Sequence, residues 1–429
     1  MARNTMIQQA NAAADQQSQQ IAMNRAFMRG SLERVAYCPV TGGSGTTASY
    51  VPGNVLFFDL PVVGSAFAKA LLITYSLTVT PASSGTASYL ANAAAPWNIF
   101  SELKLDYGNT QIRTHPYFLK VLDQIQGFQR GQRNQVLGGN NDANLAAQIV
   151  GTTPLVVGSG NTWQGKMLLR LNALGEDSVP GVLPIMGVGN KPQLKLTCAP
   201  SFMGNDPLLN PVQGTNGSGT AAVTVTGNIN VDVVYLDGAN MASPQPLTLN
   251  LANEPTLQYI WDAPLTPFSS GSIQRQRFIT LLEHWVVCSI IIDGNSSQQF
   301  MSSTGGNTNP YANLTGFELS PDGVGQNLFK NWNISNNVSI YDYYDREVRR
   351  SHGQDLDPGV ILWVDAASRG ITNPDNRNGH QVLNMMPNGG YTAATHAYQV
   401  SNVTTSTSGL TPRVETFLLS MNYDGLRIA

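Results

Sequence analysis

Few side chains in this 429-residue chain are spaced for chemistry, and each candidate meets a physical objection. His284 and Cys288, in the run "EHWVVCSIIID", could pair as a thiol nucleophile and its base. Both fall in an apolar stretch that reads as a strand, where four residues at ~3.3 Å each set their backbones about 13 Å apart. This spacing predicts a core cysteine and a strand-edge histidine. His352, Asp355 and Asp357, in "HGQDLDPG", could offer nitrogen and oxygen to a cation, although a polar turn ahead of Pro358 accounts for the same residues. The runs "GGSG" from Gly42 and "GVGN" from Gly187 lack the Lys-Ser/Thr and the strand-to-helix setting of a phosphate loop, so they read as turns. His380 and His396 stand in loop-like sequence without a spaced partner. Carboxylate pairs for glycoside hydrolysis are assembled in space, and nothing in the sequence favours one. The expectation is no catalytic residue, no metal ligand and no cofactor: a protein that is not an enzyme.

Composition agrees with a structural role. Hydrophobic residues make up 42% of the chain, ample for a packed core, while charged residues are only 12%, about half of the roughly 25% usual in soluble domains. Asn, Ser, Thr and Gln must wet the surface, and a net charge of −3 leaves little long-range repulsion between copies. Such a surface suits a subunit packed densely against its neighbours. It lacks the basic stripe of a dedicated nucleic-acid binder, so no specific nucleic-acid partner is expected. Cys38, Cys198 and Cys288 are an odd, widely spaced set that builds no disulfide framework and fits synthesis in a reducing compartment. The N-terminus has no compact apolar core of a signal peptide, and no apolar run approaches the roughly 20 residues of a membrane-spanning helix. The chain is therefore expected to be made soluble and to stay cytosolic unless its whole assembly leaves.

The elements that would position any site are mostly strands. Ile73, Tyr75, Leu77 and Val79 alternate with Thr74, Ser76, Thr78 and Thr80; Leu194, Leu196 and Cys198 alternate with Gln193, Lys195 and Thr197. Ile229, Val231, Val233 and Tyr235 repeat the pattern, which is that of antiparallel sheets with one dry and one wet face. "WVVCSIIID", "VILWVD" and "VETFLLSMNY" continue it in the second half, separated by clusters of Gly, Pro, Asn and Ser. One helix is expected from Pro116, where Phe118, Val121, Leu122, Ile125 and Phe128 recur at helical spacing, and a lesser one at Leu328, Phe329 and Trp332. Met203–Ala222, Ser302–Gly316 and Asn373–Thr392 read as long surface loops.

A weak internal repeat links the halves. "LKLDYGN" and "IIIDGN" each run from an apolar strand through Asp to a Gly-Asn turn, and Asp106 and Asp293 lie 187 residues apart, close to the length of one sandwich. With strand content in both halves, this suggests two similar β-sandwiches in tandem, joined through the proline-containing stretch Ser243–Gln258.

Four stretches carry a resemblance to a known family. They are the Gln/Ala-rich N-terminal segment, "PWNIFSELKLDYGNTQIRTHPYFLKVLDQIQG" from Pro96, "LLEHWVVCSIIIDGNSSQQF" from Leu281, and "REVRRSHGQDLDPGVILWVDAASRGI" from Arg346. In order and spacing they resemble the double jelly-roll major capsid proteins of tailless, membrane-containing icosahedral bacteriophages of the tectivirus type. Loops at 133–161 and 373–395 have no counterpart in that pattern. The resemblance implies an all-β chain of two tandem eight-stranded jelly-roll sandwiches with an N-terminal helical arm and a few short helices. It divides the chain into an arm at 1–31, a first jelly roll at 32–245 and a second at 246–429. It further implies homotrimers forming pseudo-hexagonal capsomers, which tile the outer shell of a virion over an internal lipid membrane, with penton and minor membrane-associated capsid proteins as partners.

The arm gives the resemblance a local test. Residues 1–34 hold Arg3, Arg25, Arg29 and Arg34 against Asp15 and Glu33, so this segment is basic in a slightly acidic chain. Cationic groups near anionic headgroups contribute about 1 kcal/mol each, and many copies in a shell make weak contacts cumulative. Arg3, Arg25, Phe27 and Arg29 are the residues expected at the membrane. Two rivals remain from other classes, a carbohydrate-binding jelly-roll protein and a two-barrel hydrolase; both predict a ligand and a monomer or dimer.

Overall fold

A computed structural model describes residues 32–61, 66–82, 88–91, 94–107, 110–125, 154–171, 183–184, 191–204, 208–215 and 222–237, and the strands at 256–262, 275–279, 283–293, 314–320, 329–332, 360–362, 396–405 and 412–422. The N-terminal arm at 1–31 lies outside the described residues. Strands in the first half are β1 (Leu32–Tyr37), β2 (Thr47–Ser49), β3 (Val55–Asp59), β4 (Ala66–Pro81), β5 (Ser88–Ala91), β6 (Phe100–Tyr107), β7 (Thr110–Thr114), β8 (Asn161–Arg170), β9 (Leu183–Pro184), β10 (Gln193–Cys198), β11 (Val212–Thr215) and β12 (Val223–Asp237). Those in the second half are β13 (Thr256–Asp262), β14 (Arg275–Ile279), β15 (Glu283–Asp293), β16 (Leu314–Ser320), β17 (Phe329–Trp332), β18 (Val360–Leu362), β19 (His396–Thr405) and β20 (Pro412–Asn422). Among the described residues one α-helix, α1 (Pro116–Ile125), follows β7.

The wiring is the same in both halves. Four-stranded paths β1-β12-β4-β8 and β3-β10-β6-β7 form the first pair of sheets, and β13-β20-β15-β18 and β14-β19-β16-β17 the second. Counting only these path strands from one to eight in chain order, each half reads 1-8-3-6 in one sheet and 2-7-4-5 in the other. This is the antiparallel, doubly folded Greek-key path of a jelly roll. The first half adds β2 and β9 to the flanks of its larger sheet and a separate β5–β11 pair, so it has more strands than the expected eight.

Alternation builds the first sandwich as expected. Leu71, Ile73, Tyr75, Leu77 and Val79 on β4 face inward against Ile229, Val231 and Val233 on β12, all of them buried. Leu103 and Leu105 on β6 and Leu194 and Leu196 on β10 close the core from the other sheet. Large rings fill the centre: Trp163 packs 5.6 Å from Phe202, which meets Tyr50 edge-on at 6.0 Å, and the Tyr50 hydroxyl donates to the Ile99 carbonyl at 2.6 Å. One close approach requires a missing side chain. Gly227 on β12 has φ +153°, and a Cβ there would lie 2.1 Å from the Ser76 carbonyl oxygen.

The local sequence misled in four places. Phe329–Trp332 is strand β17, not a helix, and Trp332 and Phe329 pair with Phe317 and Leu319 of β16. A short apolar cluster fits either period, and the cross-strand partner decides it. Within Met203–Ala222, Leu208 and Val212 are buried and β11 pairs with β5, so this stretch is not purely a surface loop. β13 already begins at Thr256, inside the expected linker, and β16 begins at Leu314, inside the expected loop. Phe128, expected at the end of the helix, lies outside the described residues, and α1 ends at Ile125.

Candidate functional site

The richest side-chain constellation outside the cores lies where the second half meets the first. β7 ends at Thr114, and His115 with Pro116 turns the chain into α1. Pro116 fits the first helical position, where its missing N–H leaves nothing unsatisfied. His115 caps the turn from the side chain: Nδ1 accepts from the Tyr117 amide at 3.1 Å, and Nε2 donates to the Leu208 carbonyl at 2.9 Å. An amide can only donate and a carbonyl only accept, so the two partners fix the neutral ring with its proton on Nε2. The imidazole is fully buried.

Facing this corner are three side chains of the second half. Trp261 on β13 and Phe417 on β20 are directly opposed across the ladder, which places their rings on one face, stacked at 5.9 Å and 15°. Tyr259 is two residues from Trp261 on the same strand and shares that face. Phe118 of α1 stacks on Phe417 at 5.3 Å and 16° and meets Tyr259 edge-on at 6.3 Å. His115 meets Trp261 edge-on at 5.7 Å. Rings of the two halves thus meet in the pairs His115–Trp261, Phe118–Phe417 and Phe118–Tyr259. Aromatic pairs of this kind contribute about 0.5–1.5 kcal/mol each beyond burial of their area.

Polar groups fix the register of the joint. The Tyr259 hydroxyl donates to the Arg170 carbonyl at the end of β8 at 2.7 Å. Trp261 Nε1–H donates to Glu415 Oε2 at 2.8 Å, which gives this buried carboxylate a partner. Arg113 on β7 pairs with Glu102 and holds its guanidinium 5.8 Å from the centre of the Trp261 ring. Arg113 is largely exposed, so that cation–ring contact adds only about 0.5–1 kcal/mol.

A second feature is an open edge. β1 pairs with β12 on one side, and no strand among the described residues pairs with its other side. Val35 and Tyr37, on its outward face, are 61% and 70% exposed, the highest values among the exposed large hydrophobic residues of the described chain. The neighbouring sheet has a more polar outer face, where Lys195 and Lys104 reach Asp106 at 2.6 and 3.4 Å.

Of the chemically suggestive residues of the sequence, the described residues bring one to the joint strands: Cys288 on β15 lies opposite Phe417 in the ladder to β20. Arg3, Arg25, Phe27 and Arg29 lie outside the described residues, as do His352, Asp355, Asp357 and His380. His284 and Cys288 both lie on β15, four positions apart as expected. His396 opens β19 opposite Ile279 and is therefore in a strand, not a loop; the ladder to β14 extends further than its Thr- and Ala-rich sequence suggests. Cys38 and Cys198 are free and buried, and burial pushes both thiols from 9.0 up to about 12, with Asp232 and Asp59 adding to the effect at Cys38. Among the described residues no cluster of three or more His, Cys, Asp or Glu could hold a metal ion, and no helix is long and apolar enough to cross a membrane. Spacing singled out Phe118 as part of the helix but none of the joint residues as a contact between the halves. Their signals were the His-Pro pair ahead of the helical pattern and the alternating aromatics of "TLQYIWD", neither of which names a partner.

No protein-family model matches the chain, and no curated protein matches it by sequence. Solved structures do match by shape. The PBCV-1 VP54 crystal structure fitted into a reconstruction of the virophage Sputnik has 12% identity, with 91% of this chain and 94% of that one covered and a TM-score of 0.50. The atomic structure of Sulfolobus Turreted Icosahedral Virus gives 12% identity, 91% and 91% coverage and a TM-score of 0.51. The mavirus major capsid protein gives 10% identity, 91% and 87% coverage and a TM-score of 0.44. At such identities the likeness is one of fold: this chain has the double jelly-roll fold of viral major capsid proteins. The matches come from giant-virus, archaeal-virus and virophage capsids, so the likeness is to the double jelly-roll class at large and not to the tectivirus type in particular.

Proposed function

We propose that this protein is a viral major capsid protein whose work is self-assembly. The observation that carries the reading is one eight-strand wiring repeated twice in a single chain, within the fold of double jelly-roll capsid proteins. Residues 1–31 form the arm, 32–245 the first jelly roll and 246–429 the second. Three chains, each bringing two sandwiches of like shape, close a six-cornered ring by heterologous contacts. These trimers tile the outer shell of an icosahedral virion, meet penton and minor capsid proteins, and cover an internal lipid membrane, as in tailless phages. The open edge of β1, with Val35 and Tyr37 exposed, supports assembly with sister copies, since a bare apolar edge strand is a liability unless a partner covers it. No cofactor and no reaction belong to this reading.

Native mass measured on the purified protein tests it. A trimer weighs about 138 kDa, three times 46.1 kDa. A clean monomer at micromolar concentration contradicts the proposal. The membrane role of Arg3, Arg25, Phe27 and Arg29 is tested separately by deleting residues 1–30 and comparing capsomer binding to anionic and neutral vesicles. Loss of the anionic preference is expected, and equal binding by both proteins removes the arm from the membrane.

A further inference from the structure

His115 is the one described imidazole whose two nitrogens are both committed to backbone groups of opposite kind. A second proton would place an N–H at Nδ1 against the Tyr117 N–H, which has no acceptor to offer in return. The amide would lose its bond to His115, and a cation would be buried where the neutral ring now packs edge-on against Trp261. Among the described residues, charged groups around this corner stand on β7, α1 and β20. Arg113 on β7 repels an imidazolium; its own ion-pair partner is Glu102 on β6. Lys120 on α1 sits 5.4 Å from the Tyr117 ring and is likewise of the wrong sign. Glu415 on β20 is the favourable charge, and its Oε2 is engaged by Trp261 Nε1.

We propose that His115 makes the joint between the two jelly rolls acid-sensitive: taking up a second proton, it releases the start of α1 and with it the contacts of Trp261 and Phe118 across the halves. Histidine changes charge between about pH 5 and 8, so mild acid is the trigger. The neutral ring supports the closed joint, so the closed state prevails at neutral pH and weakens as pH falls. In a capsid subunit this lets acid alter the relative placement of the two sandwiches without unfolding either one. The inference concerns one chain and does not depend on the assembly proposed above.

Hydrogen exchange read by mass spectrometry on the full chain at pH 7.5 and 5.5, corrected for the intrinsic pH dependence of exchange, tests it. Peptides covering 110–125 and 256–262 are expected to exchange up to about tenfold faster at pH 5.5, a change of at most about 1.4 kcal/mol in opening for one imidazole with an ordinary pKa of about 6.5 in the open state. A peptide covering 66–81, in the core of the first sandwich, should not change. His115→Asn keeps an acceptor for the Tyr117 amide and takes no second proton, so its joint peptides should be indifferent to pH; His115→Gln serves if that variant does not fold. Unchanged joint peptides in the natural protein overturn the proposal. So does an equal acid response in the variants, or a rise in 66–81 that matches the joint.

Discussion

Replacing Phe118 by alanine tests whether the aromatic joint holds in solution. Phe118 is fully buried, stacks on Phe417 at 5.3 Å and 16°, and meets Tyr259 at 6.3 Å. Removing a buried phenyl ring costs about 3–5 kcal/mol, but part of that loss falls within the first half, where α1 packs on its own sandwich. The pairwise term is the informative one. Phe118 and Phe417 belong to different jelly rolls, so energetic coupling between them exists only if the two rolls touch as described. A double-mutant cycle of Phe118→Ala, Phe417→Ala and the combined variant, measured by urea unfolding with tryptophan fluorescence, should give a coupling of about 0.5–1.5 kcal/mol. Single-variant losses that add to within about 0.3 kcal/mol would refute the joint and leave the two sandwiches energetically independent.

Gly227→Ala should be poorly folded, losing about 3 kcal/mol or more, because its Cβ would lie 2.1 Å from the Ser76 carbonyl and its φ is +153°; soluble yield and melting temperature report it, and a loss below 1 kcal/mol contradicts the close approach. Tyr37→Asp and Val35→Asp change exposed groups and should leave thermal stability within about 0.5 kcal/mol while shifting the native mass toward monomer; an intact trimer removes β1 from the assembly surface. The buried thiols of Cys38 and Cys198 ionise near 12 instead of 9.0, so their thiolate fraction at pH 8 is about 10⁻⁴ and both should resist alkylation until the chain unfolds. The sign of the linkage is fixed: between 9.0 and about 12 the unfolded thiol loses its proton first, so each thiol lowers stability by about 1.4 kcal/mol per pH unit as pH rises through that window. Rapid labelling of the folded protein at pH 8 contradicts this burial.

Alternation made the sandwiches legible before any coordinates. On β4 and β12 every second residue is apolar, and a two-residue period has only one inward face, so Ile73, Tyr75, Ile229 and Val231 could be assigned to the core from types alone. Pro116 and the apolar positions after it marked α1 for the same reason at a different period. What escaped was whatever depends on a distant partner. Phe329–Trp332 has no intrinsic preference strong enough to resist pairing with β16. Val212 sits among turn formers and is buried because β5 meets it. His115, Trp261 and Phe417 are up to 302 positions apart, and no local pattern ties a capping histidine to an indole on another sandwich.

That distance bears on the division of labour in the fold. Inward residues of each jelly roll stabilise that roll alone, so they set its shape but not its orientation toward its twin. Orientation is left to the joint, where three side chains of the first half, His115, Phe118 and Arg113, meet three of the second, Tyr259, Trp261 and Phe417. Flat stacking tolerates sliding, whereas the Tyr259 hydrogen bond crosses the joint with a fixed length and ends on the Arg170 carbonyl of the first half. This polar contact therefore sets the angle and the rings supply most of the adhesion. The proposed ring of three chains closes only if that angle is held, since a heterologous contact with the wrong rotation runs on as an open helix instead of returning to its start. Loss of the Tyr259 hydroxyl should thus cost little stability, about 1 kcal/mol, and yet broaden the assembly products: Tyr259→Phe is expected to yield open or polydisperse oligomers in electron micrographs while the melting temperature falls by only about 2–4 °C. Uniform trimers from that variant would place the control of the angle elsewhere.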